Sequence, residues 1–332
     1  MSADTNRSLE EIFLSTFHEK MSFNKFLDLD VAREFHTIRL KRRKIYVPSH
    51  ELKMAHKFIN KSILEYADYN KKVVYSYRKG ISVRDAVEQH SNNKFFFQTD
   101  IKNFYGNIKQ ADVDRALKYQ LDNVPAYDVE RYLDKILELV VFDNHIPTGF
   151  STSPILSNIC LQYFDNKLQE YCEDNELIYT RYSDDIIISS YQEEPLLDIG
   201  RVVSEFLSDY VNSFLTINTS KTSLHRKGHD FRLLGFTILP NGIVTIPSKE
   251  KKEIELLIYF YLTNKIKLEE YFKKSLTQEE QESLDKPLID GALARISAKL
   301  IAFNAMDKRY MLKLRKKYGN AVVDMFLRKS VK

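Results

Sequence analysis

Three aspartates stand where carboxylates could act together. Asp184 and Asp185 are adjacent in RYSDDIIISS, Arg181–Ser190, just before an isoleucine run suited to a buried strand. Asp100 closes a second apolar run, FFFQTDI, Phe95–Ile101. Neighbouring carboxylates repel, and burial adds to the cost of keeping them charged. Water in an ordinary turn offsets that cost, and so does a divalent cation. Three carboxylates converging at one sheet edge would repel strongly, and two Mg²⁺ ions about 4 Å apart would relieve this, the arrangement used in phosphoryl transfer. A lone Asp-Asp in a turn is usually only solvated. The chemistry therefore depends on whether the chain brings Asp100 to the pair.

The elements around these residues allow it. ELIYTRYSDDIIISS reads as strand, tight turn, strand, because Ile, Tyr and Thr flank a polar break. FFFQTDI reads as an aromatic strand ending in its carboxylate. Upstream, residues 7–35 suggest one or two amphipathic helices, KIYVP a short strand stopped by Pro48, residues 50–66 a helix, and KVVYSY a strand before a turn at Gly80. Residues 110–121, 127–141, 154–174 and 195–212 carry helical spacing. FRLLGFTILPNGIVTIP predicts strands with a turn at Asn241-Gly242, and helical patterning fills the chain from residue 249. The order predicts an α+β core with an antiparallel hairpin at its centre, then a helical domain, with a boundary near Pro247.

Composition sets the outer limits. The 332 residues suggest about two domains, and 43% hydrophobic residues suffice for a real core. Only 9 Gly and 8 Pro argue for many helices rather than a loop-rich chain. No apolar run is long enough to span a bilayer, and the polar, acidic start MSADTNRSLEEIF is not a secretory signal. Cys160 and Cys172 form no CxxC pair, so neither a disulfide framework nor a structural zinc site is expected, and a reducing cytoplasm fits. Net charge is +4 but unevenly spread: residues 249–332 hold 19 Lys and Arg against 12 Asp and Glu. A second basic cluster, RLKRRK, runs from Arg39 to Lys44. Such asymmetry is what a binder of phosphate backbones carries, although a solvated lysine-rich helix face looks the same.

Read in order, FFFQTDIKNFYGNI, IPTGFSTSPILSN, RYSDDIIIS and NTSKT, preceded by RKIYVPSHELK and SYRKGIS, resemble the motifs of bacterial reverse transcriptases, especially the retron-type and defence-associated groups. The resemblance covers about residues 36–250. It implies a right-hand polymerase: N-terminal helices and fingers over 1–95, a palm with an antiparallel sheet over 96–247 that includes part of the fingers, and a helical thumb over 248–332. It implies that Asp100, Asp184 and Asp185 are catalytic and bind Mg²⁺, with the backbone carbonyl of Ile101 as a further metal ligand. Tyr105 stands where the family places a steric gate against the ribose 2′-OH. Arg43 and Arg78 would grip the incoming triphosphate, Gly149 would let the chain approach the nucleotide, and Lys221 would lie near the pyrophosphate. Thr148 stands where the family commonly carries Gln.

The implied activity is RNA-directed DNA synthesis from dNTPs, templated by a structured non-coding RNA in anti-phage defence. The implied partners are that RNA, the DNA product, and an effector protein or further copies of the chain; no membrane is expected. Three alternatives stay open: template-independent or protein-primed DNA synthesis, a catalytically silent palm that only binds RNA, and RNA-directed RNA synthesis, which Tyr105 disfavours.

Overall fold

The computed structural model describes residues 7–17, 20–40, 43–228, 231–277, 281 and 287–328. Lys41 and Arg42 of the RLKRRK cluster, and Lys329 and Lys332 of the C-terminal basic region, lie outside the described residues. The chain divides into two compact units. One comprises Met1–Ile81 with Asn93–Arg226, the other Ser82–Asn92 with Lys227–Lys332.

The first unit opens with α1 (Leu9–Phe17) and α2 (Phe23–Leu27), which pack with α3 (His50–Ser62) through phenylalanines. Phe13 sits at the centre of this cluster, 4.8 Å from Phe58 and 5.2 Å from Phe26, ring centre to ring centre. Between α2 and α3 runs an antiparallel ribbon of β1 (Phe35–Leu40) and β2 (Arg43–Pro48). The sequence reading missed β1. It is almost wholly exposed, so it lacks the apolar alternation that marks a half-buried strand. The candidate strand KVVYSY forms a single bridge, Val74 to Arg181, and no strand. Tyr77 adopts φ +60°, which ends any extended run.

The centre of the unit is a four-stranded antiparallel sheet in the order β4-β5-β3-β6: β3 (Phe95–Asp100), β4 (Ile178–Tyr182), β5 (Asp185–Ser190) and β6 (Ser223–Arg226). Ile186, Ile187 and Ile188 are all buried, so both sides of β5 are covered. Helices α5 (Phe104–Asn107), α6 (Gln110–Gln120), α7 (Leu133–Val140), α8 (Ser153–Cys160), α9 (Gln162–Asp174) and α10 (Ile199–Tyr210) complete the unit. Pro154 lies in the first turn of α8, where its missing N–H costs nothing. The single helix expected over 154–174 is two, broken at Leu161. Cys160 and Cys172 are buried free thiols, and burial pushes both up, Cys172 to about 12.

The second unit holds α4 (Val83–Gln89), a three-stranded meander of β7 (Arg232–Leu233), β8 (Phe236–Ile238) and β9 (Val244–Thr245), and then α11 (Ser248–Thr263), α12 (Lys265–Lys274), α13 (Leu288–Met306), α14 (Lys308–Tyr318) and α15 (Asn320–Arg328). Gly242 takes φ +82° in the predicted Asn-Gly turn. Ile254, Ile258, Leu268, Ile296, Leu300 and Val323 form a helical core of their own. Asn264 caps α12 and Asp307 caps α14, each accepting a backbone N–H three residues on. Among the described residues no helix is long and apolar enough to cross a membrane.

Candidate active site

Strand pairing brings the three aspartates together. In the β3–β5 register Asp100 faces Asp185 directly. Tyr182 pairs with Asp185, which leaves Ser183 and Asp184 as a two-residue hairpin turn. Asp184 is thus in the turn, and Asp185 is already the first residue of β5. The Ile101 N–H donates to the Asp184 carbonyl at 3.0 Å, and the Asn218 N–H to the Asp100 carbonyl at 2.8 Å. The main chain on both sides of Asp100 is therefore fixed.

The electrostatics are unbalanced. Asp100 is buried; its Oδ2 accepts from Lys221 Nζ at 2.7 Å, and its Oδ1 has no hydrogen-bond partner among the described residues. A buried carboxylate oxygen left unpaired is costly unless something binds it. Burial raises the Asp185 carboxyl to about 6, reinforced by Asp184 and Asp100 and opposed by Lys221. The Lys221 ammonium is held above its usual value by its hydrogen bond to Asp100. The donor set is oxygen only, which suits a hard divalent cation such as Mg²⁺. Among the described residues no three His, Cys, Asp or Glu side chains are grouped so that they could hold a metal ion by themselves. At Asp100 the lysine ammonium occupies one oxygen and leaves the other unpaired.

Asp100, Ile101 and Asp184 border a cavity of about 630 Å³; Asp185 does not line it. Arg43, Lys44, Lys102 and Lys221 line the same cavity, with His145 and Thr148. Carboxylates at one side and cationic side chains around them suit a metal-bound polyphosphate. Tyr105 also lines the cavity, on the short helix α5. Its hydroxyl lies 2.9 Å from that of Tyr77, which lies 2.7 Å from Ser183 Oγ. Burial pushes the Tyr105 phenol well above its usual value, and the Tyr77 hydrogen bond adds to this.

Two expected site residues do other work. Arg78 donates to the Lys71 and Val74 carbonyls at 2.6 and 2.7 Å and closes a turn; it does not line the cavity. Gly149 approaches protein rather than cavity. A Cβ there would lie 2.2 Å from the Tyr46 carbonyl oxygen, and φ is +110°. Its small size lets the loop pair with β2, where the Tyr46 N–H reaches the Thr148 carbonyl at 2.8 Å, and Thr148 then lines the cavity.

Beneath the turn lies a network that sequence reasoning missed. Arg181 and Asp165 are both fully buried, joined by Nε–Oδ1 and Nη2–Oδ2 contacts of 2.8 and 2.5 Å. Arg181 Nη1 also reaches the Ser183 carbonyl at 3.0 Å and Asn158 Oδ1 at 3.2 Å. Burial opposes the Arg181 charge, but the Asp165 carboxylate more than offsets it and holds the guanidinium above its usual value. An arginine inside an apolar strand run is the one signal that could have exposed this network.

Residues 39–238 match the family model described as reverse transcriptase (RNA-dependent DNA polymerase). The chain belongs to this family. The matched segment includes Arg43, Tyr77, Tyr105, Lys221 and all three aspartates, and the family's fold is the right-hand polymerase fold. Similar curated proteins are bacterial retron reverse transcriptases. Retron Ec83 reverse transcriptase of Escherichia coli is 23% identical over 58% of this chain and 62% of its own length. Retron Se72 reverse transcriptase of Salmonella heidelberg is 29% identical over 66% of this chain and 57% of its own length. Retron Ec73 reverse transcriptase of Escherichia coli is 25% identical over 70% and 76%. The match thus spans about six-tenths of the length of the first two relatives. A structure of telomerase from Candida albicans with a telomeric RNA fragment aligns with TM-score 0.46 at 12% identity, over 96% of this chain and 65% of that one.

Proposed function

We propose that the chain is an RNA-directed DNA polymerase that adds dNTPs to a 3′ end with Mg²⁺. The observation that carries this is the cross-strand pairing of Asp100 with Asp185 beside Asp184, with one buried Asp100 oxygen unpaired, at a cavity lined by cationic side chains. Asp100 and Asp184, with the Ile101 carbonyl, would hold the metal, and Asp185 would support them. A bound divalent cation supplies neutralisation of the triphosphate and a lowered pKa for the primer 3′-hydroxyl. Arg43, Lys44 and Lys102 bind the phosphates. Lys221 carries a proton within reach of the site and serves as the donor to the departing pyrophosphate. The Tyr105 ring occupies the space a ribose 2′-OH would need, which favours dNTPs.

In this reading the first unit supplies palm and fingers, and the basic helices of the second unit act as a thumb on the duplex backbone. A structured non-coding RNA template, a role in anti-phage defence and a cytoplasmic location follow from the retron-type resemblance and belong to the same proposal. The test is dNTP incorporation by the purified chain with co-purifying nucleic acid and Mg²⁺, with and without RNase, followed by sequencing. DNA that copies a bound RNA and vanishes after RNase supports the proposal; repeat or random DNA that survives RNase replaces it with untemplated synthesis. Asp184→Ala is expected to lower synthesis at least roughly a thousandfold, about 4 kcal/mol of lost transition-state stabilisation, while RNA binding persists. Synthesis by that variant near the parent rate refutes the metal assignment.

A further inference from the structure

Tyr77 has no role in the chemistry above, yet the chain holds it in a costly place. Its backbone lies in the left-handed region at φ +60°, where a bulky aromatic residue is an outlier. Such strain persists only where the surroundings impose it, and here they do. Asn158 Nδ2 donates to the carbonyl of Ser76, immediately before it, at 3.1 Å, and the Tyr75 N–H donates to the Arg181 carbonyl at 3.0 Å. Arg78, immediately after it, closes the turn onto two carbonyls.

Core packing does not explain this placement. Tyr77 is 44% exposed and lines the polyphosphate cavity. Its hydroxyl is engaged by two residues distant in sequence: the Tyr105 hydroxyl at 2.9 Å and Ser183 Oγ at 2.7 Å. Ser183 is itself left-handed, at φ +60°, and directly precedes Asp184. One phenol thus bridges the gate residue and the turn that carries a catalytic aspartate. A tyrosine hydroxyl has one proton to give and can accept as well, so a single group can serve both partners.

We propose that Tyr77 is a positioning residue for sugar discrimination. Its hydroxyl ties the Tyr105 hydroxyl to the Ser183–Asp184 turn, so the gate ring cannot swing aside independently of the catalytic turn. A gate fixed by a neighbouring hydrogen bond excludes a 2′-OH more sharply than one free to change rotamer. This inference rests on the gate assigned to Tyr105 in the proposed function.

The experiment compares dTTP and UTP incorporation on poly(rA) primed with oligo(dT), using the full chain and Tyr77→Phe, which keeps the ring and removes only the hydroxyl. The kcat/KM ratio of dTTP to UTP is expected to fall about three- to tenfold, the range for the lost hydrogen bond to the Tyr105 hydroxyl, mainly through faster UTP use. A merely structural defect would lower both rates together and leave the ratio standing. Tyr105→Phe should give a similar fall, and the double variant no more than Tyr77→Phe alone, which already breaks the bond the two hydroxyls share. If Tyr105→Ala collapses the ratio while Tyr77→Phe leaves it intact, this inference is overturned and the gate survives. If Tyr105→Ala leaves the ratio intact, gate and inference fall together. Should the parent not extend that primer, the same contrast is read from protection against thermal unfolding by dTTP and UTP with Ca²⁺. A parent that favours dTTP and a Tyr77→Phe protein that keeps the full preference overturn the inference; a parent with no preference overturns the gate and the inference with it.

Discussion

Arg181→Met removes the cation from the buried pair beneath the Ser183–Asp184 turn, and the structure sets the size of the effect. Both members of the pair are fully buried. Without the guanidinium, Asp165 keeps the Tyr179 hydroxyl at 2.7 Å as a neutral donor, and its charge is left uncompensated in a dry interior. Breaking a buried pair from one side costs about 3–5 kcal/mol, against a total stability of about 5–15 kcal/mol for an ordinary domain. The Ser183 carbonyl also loses its 3.0 Å donor, so DNA synthesis is expected to fall along with stability. Arg181→Met/Asp165→Leu removes both charges together. It should recover at least about 2 kcal/mol relative to the single variant, because replacing a buried pair by apolar groups is often close to neutral. The assay is urea unfolding at pH 7 followed by far-ultraviolet circular dichroism, since the chain has no Trp, with the midpoint shift read at unchanged slope. A single-variant loss below about 1 kcal/mol, or a double variant no better than the single, would mean that water reaches the pair, and the reasoning would fail.

Two further substitutions probe the scaffold. His56 is fully buried, with Nε2 2.8 Å from the Leu139 carbonyl and Nδ1 without a partner among the described residues; burial lowers its pKa to about 4, against the opposing pull of that hydrogen bond. The unfolded chain binds this proton near pH 6.5 and the folded chain does not, so the stabilisation is full above pH 6.5 and is lost as pH falls towards 4, by up to about 3 kcal/mol. In His56→Gln that pH dependence should flatten, and an unchanged slope would assign the proton uptake to other groups. Gly149→Ala places a Cβ 2.2 Å from a backbone oxygen at a positive φ; about 2–4 kcal/mol of destabilisation is expected. A Tm within a degree of the parent would show that the loop yields without cost.

Much of the site was legible because it is written in local pattern. The aromatic run ending at Asp100 and the Tyr-Ser-Asp-Asp break both signal strand ends, and period-two side chains leave little freedom in how such strands pair. Tyr105, Arg43 and Lys221, singled out by the motif resemblance, all line the cavity. Arg78 and Gly149 contact main chain instead of lining the cavity, for a common reason. Residue type says that an arginine can grip a phosphate and that a glycine permits close approach, but not what is approached. In this fold the partners are main-chain carbonyls of Lys71, Val74 and Tyr46, which only the tertiary arrangement supplies. The ribbon strand β1 was invisible because an exposed strand has no buried face to write into the sequence.

What sequence reading missed altogether forms one continuous physical connection. Asp165 on α9 fixes Arg181 on β4, and Arg181 holds the Ser183 carbonyl. Ser183 Oγ meets Tyr77, and Tyr77 meets Tyr105. Apart from Arg181 and Ser183, two residues apart, each step joins residues 16 or more apart in sequence, so no short window contains the pattern. Each also acts on where a side chain is held rather than on which chemical group is present. The three carboxylates could be read from composition and spacing because their chemistry lies in the residue type. The residues that hold the turn and Tyr105 could not, because arginine, serine and tyrosine are ordinary until the fold buries Arg181, turns Ser183 left-handed and sets Tyr77 between Ser183 and Tyr105.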